Sequence, residues 1–238
     1  MGDLPRPPLV GTKVFTHVGV DFAGPFLVKA ALLRRIQTTK GYLCIFVCMA
    51  TRAVHLELVS DLSATLFLAD LNRFVSRRGR CTDLYSDCGT NFVGAKNYMD
   101  YVKRLFSSSK LTAGISNVHI QWHLNPPTAP HIGGLWEAAV KSAKTLLHRT
   151  IQEQVLTYEE LNTVFHRIEA ILNSRPLGAM SSDPNDLQTL TAGHFLTVEP
   201  LVTVPVPDPL HPGPRLTLQQ RWTLVQHLQK HFWHRWSK

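Results

Sequence analysis

The nine residues from Tyr42 to Ala50, YLCIFVCMA, carry no charge and are apolar on both faces of an extended chain. A strand of that kind needs cover on both sides, so the run predicts the centre of a sheet flanked by helices. Its neighbours suit that place. From Val14 to Phe22 the chain alternates, with Val14, Thr16, Val18, Val20 and Phe22 on one face, and Asp21 falls at the strand's end just before the breaker Ala23-Gly24-Pro25. On the other side, a tight turn at Thr51-Arg52 reverses the chain into AVHLELV. The three segments read as an antiparallel meander.

Helical spacing comes next. Ser63 is a candidate N-cap for a helix carrying Leu66, Phe67, Leu71, Phe74 and Val75, and Arg77, Arg78 and Gly79 end it. CTDLYSD is a short strand that ends on a second acid, Asp87; residues 92–106 have helical spacing, and VHIQWHL is a fifth strand. Thr157 and Glu160 form a capping-box pattern ahead of Leu161, Val164, Phe165, Ile168, Ile171 and Leu172, and Pro176 stops that helix. The expected fold is therefore α/β, a five-stranded mixed sheet flanked by helices over residues 13–180, after a Pro- and Gly-rich tether at 1–12. Residues 181–214 read as a linker, because six of the fifteen prolines fall within 199–214. Residues 215–238 read as a basic amphipathic helix that opens a truncated C-terminal region.

The 25 Lys+Arg against 17 Asp+Glu give a net charge of +8 and a pI near 9.5, which favours a polyanionic partner. The longest apolar run is far short of the about 20 residues that cross a bilayer, and the start has no apolar leader. A membrane or secreted protein is not expected. Cys44, Cys48, Cys81 and Cys88 lack CxxC spacing and read as free core thiols in a reducing compartment.

The stretch NPPTAPHIGGLWEAAVKSAK, from Asn125 to Lys144, reads as a proline-stiffened loop opening into a helix. Around that helix Lys141, Lys144 and His148 fall within about 40° of Glu137, while Trp136, Ala139, Val140, Ala143, Leu146 and Leu147 fill the opposite arc. A carboxylate followed by ammonium groups one and two turns later suits a divalent cation and the phosphodiester it acts on. The plainer alternative is a surface Glu-Lys pair worth a few tenths of a kcal/mol. Asp21 and Asp87 each close a strand of one mixed sheet, and Glu137 follows another strand, so the three could share hard divalent cations. Taken singly, Asp21 and Asp87 are also ordinary turn acids.

In order along the chain, VGVDFAGPF, TRAVHLELV, YSDCGTNFVGA, NPPTAPHIGGLWEAAVKSAK, LNSRPL and DPNDLQTLTAGHFL resemble the integrase of BEL/Pao-type long-terminal-repeat retrotransposons, a relative of retroviral integrases. The resemblance covers nearly the whole chain from Leu4. It implies an RNase H-like core whose DDE acids are Asp21, Asp87 and Glu137, holding two divalent cations, Mg or Mn. It implies a polynucleotidyl transferase that processes the 3′ ends of the element's double-stranded DNA and joins them to target DNA. Such an enzyme works as a homo-oligomer, in the nucleus when it acts on DNA and otherwise in the cytoplasm. By the same resemblance Asn91 would sit near the site, and Lys141, Lys144 and His148 would contact DNA.

The sequence departs from the family in places. The 49 residues between Asp87 and Glu137 exceed the retroviral spacing, Cys88 stands where retroviral sequences usually have Asn, and Ala192 stands where Pro is expected. The family's His/Cys zinc module and C-terminal DNA-binding domain are not found, so the chain looks like a fragment. Two other functions compete: a catalytically idle DNA-binding or assembly remnant, and an RNase H-like nuclease acting on hybrids. His227, His231 and His234 could bind zinc from one helical face, but with no cysteine nearby they read as basic-face residues.

Overall fold

The apolar run becomes the strand its pattern predicts. In the computed structural model β2 (Thr38–Cys48) is buried from Leu43 to Cys48, between β1 (His17–Lys29) and β3 (Val54–Val59), both antiparallel to it. The structure describes residues 13–29, 37–107, 120–125, 141, 144–145, 147–148, 151, 155–180, 188–197, 223–228 and 230. The tether at 1–12 and the proline-rich 199–214 lie outside them.

β1 corrects one expectation. Asp21 does not end the strand; pairing with β2 shifts register between Ala23 and Phe26 and then resumes from Phe26 to Lys29. The Gly24–Pro25 pair sits in a β-bulge, where a residue without a ladder N–H is tolerated. Gly24 holds φ at 126°, in the region that favours glycine.

After β3 the chain enters α1 (Ala64–Arg78), capped by Ser63, whose side chain accepts from the Leu66 amide at 3.3 Å. Arg77 and Arg78 occupy its last turn, where cations suit the helix dipole. β4 (Asp83–Ser86), α2 (Thr90–Ser107) and β5 (Gln121–Leu124) come next, and β4 pairs parallel with both β1 and β5. A helix, α3, is helical at 141, 144–145, 147–148 and 151. β6 (Leu156–Thr157) runs parallel to the end of β1 and leads into α4 (Tyr158–Asn173) through the predicted capping box of Thr157 and Glu160. The sheet order is β3-β2-β1-β4-β5, with β6 as a sixth strand beside β1. This mixed sheet flanked by helices is compatible with an RNase H-like fold.

Two cores lie on the two faces of the sheet. One joins Val18, Val20 and Phe46 to Phe67 and Phe74 of α1 and Phe92 of α2. The other joins Ile45, Leu56 and Leu58 to Leu147 and Ile151 of α3 and to Leu161, Phe165 and Ile168 of α4. Leu224, Val225 and Leu228, in a last helix α6 that is helical at 223–228 and 230, are buried in this second core.

Part of the expected linker has structure. β7 (Pro176–Ala179) and β8 (Thr189–Thr191) form a hairpin followed by α5 (His194–Thr197), and the Gly193 amide donates to Asn173 O at 2.7 Å. Cys44, Cys48 and Cys81 are buried as expected, but Cys88 is exposed, because it lies in the loop beyond β4 and not in the strand. Among the described residues no helix is long and apolar enough to cross a membrane.

Candidate metal and nucleic-acid site

The parallel pairing of β1 with β4 runs toward two of the expected acids. His17, Val18 and Gly19 pair with Asp83, Leu84 and Tyr85, and the pairing ends there; the same register, carried two residues further and past Ser86 at the end of β4, would align Asp87 with Asp21. Asp21 lies within β1, whereas Asp87, expected to end its strand, is the first residue of the loop beyond β4. Asp21 is partly buried; its Oδ1 accepts from the Phe22 amide at 2.7 Å and its Oδ2 pairs with the Lys144 ammonium of α3. Asp87 is exposed, and its Oδ1 accepts from the Gly89 amide at 3.0 Å.

The loop that carries Asp87 is tied down from below. Buried Ser86 donates from Oγ to Asp87 O at 3.0 Å and accepts from the Trp122 indole at 2.9 Å. The Asn125 amide donates to Ser86 O at 2.9 Å, and the Cys88 thiol donates to Asn125 O at 3.1 Å. A Cβ on Gly89 would stand 2.7 Å from Asn91 Oδ1 and 3.1 Å from Asp87 Oδ1. The Asn91 carboxamide and the Asp87 carboxylate thus both lie against Gly89, and a larger residue there would make one of them shift. Ser86, Gly89 and Trp122 were not picked out from the sequence; the glycine after a strand-end acid was the one visible signal.

α3 has the two faces its spacing predicts. Leu147 and Ile151 are buried, whereas Lys141 and His148 are exposed. The His148 ring lies 6.4 Å from that of Phe26. Lys144 belongs to the polar front but is held by Asp21. Glu137, the third expected acid, lies outside the described residues, as do His231 and His234.

Among the described residues no group of three or more His, Cys, Asp or Glu side chains is arranged to hold a metal ion. The two acids present still fit a hard divalent cation in kind: both offer carboxylate oxygens, and Asp21 Oδ2 already has a cation, the Lys144 ammonium, against it.

Another cluster of charge lies at the far edge of the sheet and is structural. Glu57 of β3 meets His55 at 3.2 Å, Arg73 at 3.1 Å and Arg77 at 2.6 Å. Burial works to raise its carboxyl, but the hydrogen bonds from His55 and Arg73 bring it down to about 2. Glu169 of α4 pairs with Arg78 and accepts from the Leu56 amide at 2.8 Å, while Asn173 bonds both the amide and the carbonyl of Val54 at 2.8 Å. Side chains of α4 thus occupy the free edge of β3, the position at which a sheet would otherwise recruit another strand.

Compared by sequence, the chain matches no protein-family profile and no curated protein. By structure it is similar to a chain in the cryo-EM structure of the simian T-cell lymphotropic virus intasome in complex with PP2A regulatory subunit B56 gamma. The TM-score is 0.50 at 15% identity, over 88% of this chain and 64% of that one. The likeness is one of fold, and this chain spans about two thirds of the other's length.

Proposed function

We propose that the chain is the catalytic core of a retrotransposon integrase of BEL/Pao type, a DDE polynucleotidyl transferase that processes DNA 3′ ends and joins them to target DNA. The observation that supports the reading is the parallel pairing of β1 with β4, whose register carried past the end of β4 would align Asp87 with Asp21, together with a lysine-bearing helix against Asp21. The fold likeness to a chain of a viral intasome structure supports it.

Asp21, Asp87 and Glu137 are the residues that would hold two Mg or Mn ions. Bound there, the ions would polarise the phosphodiester and activate the attacking hydroxyl. The chain's own part is placement. The Trp122–Ser86 bond fixes the backbone carbonyl of Asp87, and Gly89 leaves room for the side chains of Asp87 and Asn91. Lys141 and His148, exposed on α3, would meet phosphates of double-stranded DNA. Assembly as a homo-oligomer and work in the nucleus belong to the same reading.

A specific observation favours a second reading. Asp21 is already neutralised by Lys144, as in an idle remnant that keeps the acids only as ion-pair partners. Strand transfer from a short duplex end with Mg or Mn decides between them. Joined DNA products support the integrase core; DNA binding without products supports the remnant; cleavage of RNA in a hybrid without joining supports a nuclease.

A further inference from the structure

We infer that Lys144 is an internal counter-ion that alternates between Asp21 and a nucleic-acid phosphate, so that metal binding and DNA binding strengthen each other; the inference rests on the metal-site reading above. Three observations carry it. The Lys144 ammonium sits on Asp21 Oδ2, the oxygen not taken by the Phe22 amide, so it holds the carboxylate lone pairs a cation would need. The contact joins α3 to β1 across 123 residues of sequence, so it depends on the fold and not on local helix geometry. Lys144 also lies in the same helix as exposed Lys141 and His148, with its side chain 31% exposed, so on leaving Asp21 it needs only a rotamer change to reach solvent.

An ammonium and a divalent cation cannot both lie against one carboxylate oxygen without strong repulsion. Lys144 therefore competes with metal at Asp21. When it yields, it carries a full charge on a four-carbon stem that is free to meet a phosphate. By linkage the coupling is reciprocal: phosphate that captures Lys144 frees Asp21 and raises metal affinity by the same factor. Lys144 keeps Asp21 from standing as an unpaired carboxylate, and binding of either ligand makes binding of the other easier. Lys141 is exposed and does not serve as this counter-ion.

Mn binding to the full chain without DNA, followed by the electron paramagnetic resonance of free Mn, tests the first half with Lys144→Met, Lys144→Gln, Lys141→Met and Asp21→Asn. Both Lys144 variants should bind Mn about twofold to fivefold more tightly, the scale of losing a partly exposed ion pair. Lys141→Met should change affinity by less than about twofold, and Asp21→Asn should weaken it. The second half is read from DNA affinity against salt, with and without Ca. Ca should steepen the slope of log affinity against log salt by about one unit more in the unmodified chain than in Lys144→Met. Unchanged or weaker Mn binding in both Lys144 variants, with Asp21→Asn still damaging, would overturn the switch and leave the metal site standing. If the unmodified chain binds no Mn, or Asp21→Asn has no effect, the metal-site reading itself fails and the switch with it.

Discussion

Asp70 of α1 is fully buried, its Oδ1 bonded to Arg73 at 3.2 Å and its Oδ2 without a hydrogen bond. Burial, with the charge of Glu57 nearby, pushes its carboxyl up to about 6 from 3.8, against the pull of Cys44 and Arg73. The folded chain keeps a proton there that the unfolded chain has released, so stability falls as pH rises from about 4 to about 6. A difference of about two pKa units is at most roughly 3 kcal/mol at 1.36 kcal/mol per unit. Glu57 runs the other way: held at about 2, it contributes stability that is complete above 4.5 and is lost as pH falls toward 2. Burial disfavours charge on His55, but Glu169 and Glu57 outweigh it and raise the imidazole above 6.5, which adds a decline at higher pH. Urea unfolding of Asp70→Asn should show the decline between about pH 4 and about pH 6 removed, with the acid-side loss retained. A decline as large as that of the unmodified chain would assign the titration to another group.

At the scale of elements, β3 shows what spacing along the chain can and cannot carry. The alternation of AVHLELV is enough to place a strand, and the Thr157–Glu160 box is enough to start α4. Nothing local shows that Glu169 and Asn173, more than 110 residues later, bond the amides of Leu56 and Val54. Those partners exist only once α4 packs across the sheet edge. Glu169→Ala leaves the Leu56 amide without its partner and Arg78 with His55 Nδ1, a loss of about 1 to 3 kcal/mol. Hydrogen exchange should show the Leu56 amide losing its protection first, and unchanged exchange there would contradict the edge-covering role. The bulge in β1 is hidden from the sequence for a similar reason. Gly24-Pro25 is locally a breaker, and only pairing of Phe26 to Lys29 with β2 and of Val28 and Lys29 with β6 keeps the strand going. The acids at positions 21 and 87 are legible because they stand beside breakers; the parallel register of β1 with β4 that runs toward them is not, because it is a property of two strands.

For the whole molecule, the sheet is a shared wall between two cores, and the last helix belongs to one of them. The apolar stripe of 215–238 predicts docking on the chain's own core or on a neighbouring subunit, and Leu224, Val225 and Leu228 of α6 are buried in the chain's own core. Arg167 of α4 adds a hydrogen bond to Gln226. Leu228→Ala should lower stability by about 2 to 5 kcal/mol, seen as a lower urea midpoint with an unchanged slope. A loss confined to DNA affinity would mean that α6 serves binding and not packing. The same layering brings α3 against β1 and carries Lys144 to Asp21. The proposed metal-dependent site of Asp21, Asp87 and Glu137 is tested by the rate of Mg- or Mn-dependent DNA strand cleavage. Asp21→Asn, Asp87→Asn and Glu137→Gln should each abolish cleavage while far-ultraviolet circular dichroism stays unchanged, and the Asp21→Asn/Asp87→Asn pair should be no worse than either alone. Full activity in any one of the three single variants would contradict a common site.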